Sequence, residues 1–223
     1  MDLLKVYNRL YEDFGPQHWW PADSAFEVVL GAVLVQNTSW NNVQKCIDQL
    51  RDEKIFSPEA ILSIPENVLA EKIRSSGYYH QKARRLRDVL SYFQQSAGGD
   101  FARCFSRNPE TLRQELLALR GVGPETADSI LLYAGNLPFF VVDAYTRRFL
   151  YRHHVRIDSK GQPDDFVLQS KNYERIRLFF ERRIPRDVSL YNEFHALFVE
   201  LGKKYCRKTS PLCDQCPLRC FNH

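Results

Sequence analysis

Four cysteines crowd one end of the chain, Cys206, Cys213, Cys216 and Cys220, in the spacing C-x6-C-x2-C-x3-C. Four thiolates this close in sequence can enclose one metal centre, a tighter constraint on local folding than any hydropathy pattern. The other two cysteines, Cys46 and Cys104, are far away. Four soft sulfur ligands suit tetrahedral zinc or an iron–sulfur cluster, and the spacing does not separate the two. Disulfides are the weaker reading, because nothing else marks the chain as secreted. Met1-Asp2-Leu3-Leu4-Lys5 runs straight into an amphipathic pattern. The longest apolar stretch, Val28 to Val35, is eight residues, too short to span a bilayer. The expectation is an intracellular protein of cytoplasm or nucleoid, with reduced thiols and no membrane partner.

At 223 residues the chain is long enough for one large domain or two lobes sharing a core. A net charge of +4 is compatible with a polyanionic partner but selects none.

Helical spacing runs through nearly the whole sequence, and strand alternation is almost absent, so the fold class is all-α. Ser24 and Glu27 form a candidate capping box ahead of the apolar run. Pro65 reads as a first helical residue with Gly77 as the stop. His80 to Gln95 repeats apolar and basic residues until Gly98-Gly99. Asn108-Pro109 opens a helix that ends before Gly121, Pro124 opens the next, and Gly135 ends it. Asp143 caps another through about Tyr151. Two more are predicted, roughly Asp164 to Arg182 and Asp187 to Lys204.

Leu116 to Ala127 reads as helix, tight turn, helix. Gly121 and Gly123 allow a sharp bend and close approach of backbone to another molecule. The helix opening at Pro124 directs free N–H groups out of the turn, where they attract phosphate. The same pattern also describes an ordinary interhelical turn. Eighteen residues after Glu125 stands Asp143, behind the apolar run Phe139-Phe140-Val141-Val142. A carboxylate there serves as an N-cap. It becomes catalytic if the hairpin holds DNA and presents a sugar to it.

Taken together these features resemble the helix-hairpin-helix DNA glycosylases of the endonuclease III superfamily. The hairpin motif L-x-G-V-G-x-x-T-A is matched by Leu119 to Ala127, the V-D step by Val142-Asp143, and the cysteine loop by Cys206 to Cys220. Gly77-Tyr78-Tyr79-His80-Gln81-Lys82-Ala83 is similar to the family's G-x-Y-x-x-K-A segment, and Val33 to Thr38 to its glutamine-containing loop. The resemblance implies a [4Fe–4S] cluster on the four cysteines. It implies a six-helix lobe over residues 22–134 and a cluster lobe from residues 1–21 and 135–223, with the active site in the cleft between. It also implies catalysis by Asp143 on a flipped-out base in double-stranded DNA, by a protein acting as a monomer.

Two departures bear on the chemistry. Where bifunctional members carry a lysine that forms a Schiff base, this chain has Glu125, which cannot form an imine; a monofunctional enzyme is expected. The final cysteine gap, Pro217-Leu218-Arg219, is shorter than the family's usual one.

Trp19-Trp20-Pro21, then Gln36-Asn37-Thr38 and Trp40, resemble a narrower group, the 3-methyladenine glycosylases of the endonuclease III type, in which the aromatics form the base pocket. Indole faces favour a cationic alkylated purine. A pocket lysine of that group corresponds here to Leu197. The expected DNA contacts are Gln36, Asn37, Tyr79, His80, Lys82, Gly121, Gly123, Thr126 and Arg147, with Gln36 filling the vacated space and side chains near Tyr79 and His80 wedging the opposite strand. The basic runs at residues 82–87 and 147–148 read as phosphate contacts, and His195 reads as a core histidine. The alternatives are a glycosylase for oxidised, deaminated or mismatched pyrimidines, and a non-catalytic damage-binding iron–sulfur protein.

Overall fold

The computed structural model describes residues 1–157 and 164–219. All regular structure among them is helical. In chain order, α1 spans Leu3–Phe14, α2 Ala25–Leu34, α3 Trp40–Asp52, α4 Pro58–Ser63, α5 Glu66–Lys72, α6 Tyr79–Ala97, α7 Phe101–Phe105, α8 Pro109–Ala118, α9 Pro124–Ser129, α10 Ala144–Arg152, α11 Tyr173–Glu181 and α12 Val188–Lys204. The chain divides into two compact units, Ala22–Leu137 and the paired segments Met1–Pro21 and Pro138–His223. The division falls after Leu137 rather than 134. A π-turn over Ile130–Ala134 continues α9, and Leu137 N–H donates to the Leu131 carbonyl at 3.0 Å, which keeps this tail in the first unit.

In the unit of residues 22–137, α2 is buried from Phe26 to Leu34, as a helix apolar all round must be. Its neighbours are α6, α9 and the π-turn. The capping box differs from expectation. Ser24 Oγ accepts the Glu27 N–H at 3.2 Å, but the Glu27 carboxylate reaches back to the Asp23 N–H at 3.0 Å and to Arg51 at 2.8 Å. The predicted helix between Pro65 and Gly77 is two elements, α5 and a 3₁₀ turn over Arg74–Ser76, with Pro65 as the cap rather than the first helical residue. Asn108 caps α8 through the Thr111 N–H at 3.0 Å. A bidentate pair fastens α8 to α9, Arg113 Nε to Asp128 Oδ1 at 2.5 Å and Nη2 to Oδ2 at 3.1 Å, with both side chains buried.

The other unit is built on an aromatic core. Phe140 stacks on Phe180 with centroids 4.2 Å apart, and Phe194 stacks on Phe198 at 4.6 Å. Each such pair adds about 0.5–1.5 kcal/mol beyond its buried area. α12 packs on α1 and α10. The single helix predicted over residues 164–182 is replaced by 3₁₀ turns at Asp164–Leu168 and Ser170–Asn172, followed by α11. The reason lies in the carbonyls. Arg147 Nη1 donates to those of Val167 and Gln169, both at 2.9 Å, and Asn172 Nδ2 donates to that of Phe166 at 2.8 Å. Carbonyls held by side chains are diverted from a helical ladder.

Candidate active site

Phe139 to Val142 form a buried run outside any helix, with no strand partner among the described residues, so their N–H groups need other acceptors. Glu181 Oε1 takes the Phe140 N–H at 2.9 Å, and the Tyr173 phenol oxygen takes that of Val142 at 3.3 Å. The run delivers Asp143 to the N-cap of α10. Asp143 Oδ1 accepts from the Thr146 N–H at 2.7 Å and from Thr146 Oγ1 at 2.9 Å. Oδ2 stands 3.5 Å from His195 Nε2, an ion-pair separation longer than a well-formed hydrogen bond. Both residues are buried. Burial works against the Asp143 anion, but the imidazole charge and the Thr146 bonds outweigh it and hold the carboxyl below its ordinary value. His195 is therefore not merely a core histidine, because its ring faces the carboxylate. The helical spacing that put it on the apolar face of α12 carried no sign of that.

The hairpin lies in the other unit. Gly121 has φ +82°, which favours glycine, and a Cβ there would displace the Arg85 guanidinium. Gln36 braces this turn. Its Nε2 donates to Thr126 Oγ1 at 2.7 Å and to the Gly121 carbonyl at 3.4 Å, while its Oε1 accepts from Arg85 Nη1. Gln36 and the Thr126 hydroxyl, both expected on DNA, are thus engaged within the protein, and Thr126 is buried. Gly123 and Glu125 are exposed, as is Arg120 at the tip, a residue the sequence reading passed over.

Several expected phosphate contacts are internal braces instead. Lys82 is buried, its Nζ donating to the carbonyls of Leu34 at 2.9 Å and Ser76 at 2.6 Å, and burial pushes its ammonium down to about 8. That ammonium ties α2 to the turn before α6 and does not face a phosphate. Arg147 is committed to the carbonyls of Val167 and Gln169. Arg87 donates to Ile61 and Ile64 carbonyls, and Arg148 to that of Cys206 at 2.6 Å. A basic run in sequence gives charge without direction, and these guanidiniums turn inward to satisfy loop carbonyls.

What does project is Tyr78, 69% exposed with φ +46°, a strained conformation for a bulky residue. Tyr79 and His80 follow it with rings 4.4 Å apart. Asn37 is exposed at a second left-handed position, φ +56°. Trp19 and Trp20 pack edge to face at 5.7 Å, and Lys203 Nζ lies 5.5 Å from the Trp19 ring centre. Trp40, in the other unit, opens α3 and is partly exposed. Leu197, where a lysine was expected, is buried.

Cys206, Cys213 and Cys216 line one cavity of about 250 Å³ together with Leu201, Tyr205 and Leu218. Cys220 lies outside the described residues. Arg152 Nη1 stands 3.3 Å from Cys206 Sγ. Burial raises the Cys216 thiol, and the neighbouring Cys206 and Cys213 sulfurs raise it further. Among the described residues no three acidic, histidine or cysteine side chains close on a single ion.

A family model described as HhH-GPD superfamily base excision DNA repair protein matches residues 30–166, more than half of the chain. The chain belongs to the HhH-GPD superfamily. As a member of it, this protein is a DNA glycosylase of base excision repair, and it binds DNA. A Methanocaldococcus jannaschii protein named "Putative DNA repair glycosylase MJ1434" is 42% identical over 98% of this chain and 94% of its own length. Endonuclease III of Thermotoga maritima is 28% identical over 100% of this chain and 88% of its own length. Among solved HhH-GPD structures, the H. pylori 3-methyladenine DNA glycosylase bound to 1,N6-ethenoadenine superposes with a TM-score of 0.74 at 29% identity, covering 92% of this chain and 98% of that one. An endonuclease III–DNA complex gives a TM-score of 0.77 at 23% identity, covering 98% and 92%, a likeness of fold. No helix among the described residues is long and apolar enough to cross a membrane.

Proposed function

We propose that this HhH-GPD protein is a monofunctional glycosylase that hydrolyses the N-glycosidic bond of an alkylated purine such as 3-methyladenine, in double-stranded DNA, acting as a monomer. The observation that carries the reading is the buried, ionised Asp143 with Oδ1 anchored and Oδ2 turned to His195. As the C1′–N bond breaks, its electron pair leaves with the base and positive charge grows on the sugar. The Asp143 anion stabilises that charge. Water then bonds to C1′ and gives its proton to a base, for which Asp143 is the candidate. Glu125 stands exposed in the first turn of α9 where a lyase would need an amine, so no imine forms.

An alkylated purine is favoured by the 29% identity to the 3-methyladenine glycosylase and by the tryptophans. Lys203 on Trp19 repels a cationic base from that ring, which leaves Trp20 and Trp40 as the stacking candidates. The target nucleotide leaves the stack to be reached. Tyr78, strained and projecting, is the candidate wedge, joined by Asn37, Tyr79 and His80. The Gly121–Gly123 turn and Arg120 hold phosphate.

The three described thiols fit a [4Fe–4S] cluster completed by Cys220. They line one cavity rather than clasp one point, and soft sulfur ligands suit such a centre. Bound there, the cluster would supply structural cohesion to the loop that Arg148 and Arg152 hold against α10.

A panel of duplexes carrying single damaged bases tests the reading. Alkylated purines should yield abasic sites that break only after alkali. Efficient nicking with a borohydride-trapped covalent adduct would contradict it, and preference for oxidised, deaminated or mismatched pyrimidines would keep the mechanism and move the substrate.

A further inference from the structure

One carboxylate oxygen of Asp143 is saturated and the other is not. Oδ1 takes both donors of Thr146, and Oδ2 meets His195 Nε2 at 3.5 Å. The register of α12 on α10 fixes that meeting. Seven residues beyond His195, on the same face, Gly202 lets the Tyr145 ring and Arg148 press against the α12 backbone, where a Cβ would collide with the Tyr145 ring. Between them Phe198 packs on Phe149 with centroids 4.7 Å apart. The position of His195 is thus set by the packing of the following turns of α12 on α10.

We propose that His195 is the positioning residue of the excision reaction, keeping Asp143 ionised and its Oδ2 oriented. The proposal rests on the reading of Asp143 as the catalytic carboxylate. A buried carboxyl group without an opposing charge tends to take up a proton. Two donors on Oδ1 leave Oδ2 to be set by whatever faces it. Of the charged and titratable groups near it, Arg147 donates to the Val167 and Gln169 carbonyls, and the Tyr173 phenol oxygen accepts from the Val142 N–H. His195 is the group that faces Oδ2, and its ring carries an opposing charge when protonated.

The test is single-turnover excision from dimethyl-sulfate-treated duplex DNA at pH 6 and pH 8, for the intact chain and for His195→Leu, His195→Gln and Asp143→Asn. Binding to a tetrahydrofuran-containing duplex and melting temperature are measured alongside. His195→Leu should slow excision about tenfold at pH 6, the loss expected once the buried carboxyl, relieved of its opposing charge, titrates about one unit above that pH, and less at pH 8. Binding should not change. His195→Gln, with an amide N–H near the place of Nε2, should recover part of the pH 8 rate. A His195→Leu rate within about twofold of the parent at both pH values, with Asp143→Asn inactive, would overturn the role of His195 alone. Equal losses in the Leu and Gln variants at both pH values would do so too, because packing would then explain them. An active Asp143→Asn would instead remove the catalytic reading beneath it.

Discussion

Asp143 and His195 come from elements 52 positions apart in sequence, yet Oδ2 and Nε2 stand 3.5 Å apart inside the protein. Asp143 is both the N-cap of α10 and the proposed anion of the reaction, and the two roles use different oxygens. Thr146 serves the first by bonding Oδ1 twice. Thr146→Val removes the hydroxyl donor and keeps the backbone one, so stability should fall by about 1 kcal/mol. Excision should fall with it, while DNA binding holds. Urea unfolding and single-turnover rates on the same preparation check both.

The buried Arg113–Asp128 pair fixes the approach of α8 to α9, and through it the hairpin. Removing one partner strands the other charge in the interior. Asp128→Ala should cost about 3–5 kcal/mol by denaturant unfolding. Arg113→Met combined with Asp128→Leu should recover much of that loss, because an apolar pair leaves no uncompensated charge.

Lys82 predicts a pH signature in stability. Its folded pKa is about 8 against 10.5 unfolded, so between those values the unfolded chain binds more protons. Stability contributed by this group should rise as pH climbs from about 8 toward 10.5 and be flat below. The difference in melting temperature between the intact chain and Lys82→Met, followed from pH 7 to pH 10, isolates that slope from other lysines.

Tyr78 carries strain at φ +46°, and relieving it should separate stability from activity. Tyr78→Gly should stabilise the fold by up to about 0.5–1 kcal/mol. It should also slow excision if the ring is the wedge. A variant that is neither more stable nor slower would remove Tyr78 from the site.

Much of this architecture was legible in the sequence because its signals are local. Asn108-Pro109, Gly98-Gly99 and the Asp143 cap each fix a boundary through their own backbone chemistry, and the structure places helix ends there. The stretch after residue 164 misled because Arg147, remote in sequence, takes its carbonyls. The basic runs misled for the same reason: Lys82, Arg85, Arg87 and Arg148 carry charge in the sequence, but their directions depend on which carbonyls and side chains lie within reach. Gln36 stood out as a loop residue, yet its three bonds to the hairpin and to Arg85 are tertiary. His195 was hidden by its setting, since a histidine on an apolar helical face looks like packing until the opposing element is placed.

The account turns on Asp143 acting as an anion in the hydrolysis. Single-turnover excision of alkylated purines from duplex DNA by Asp143→Asn, which keeps the N-cap, measures that directly. The rate should drop by at least about 100-fold, while affinity for a tetrahydrofuran-containing duplex stays within about twofold of the parent. Excision within about threefold of the parent would contradict it.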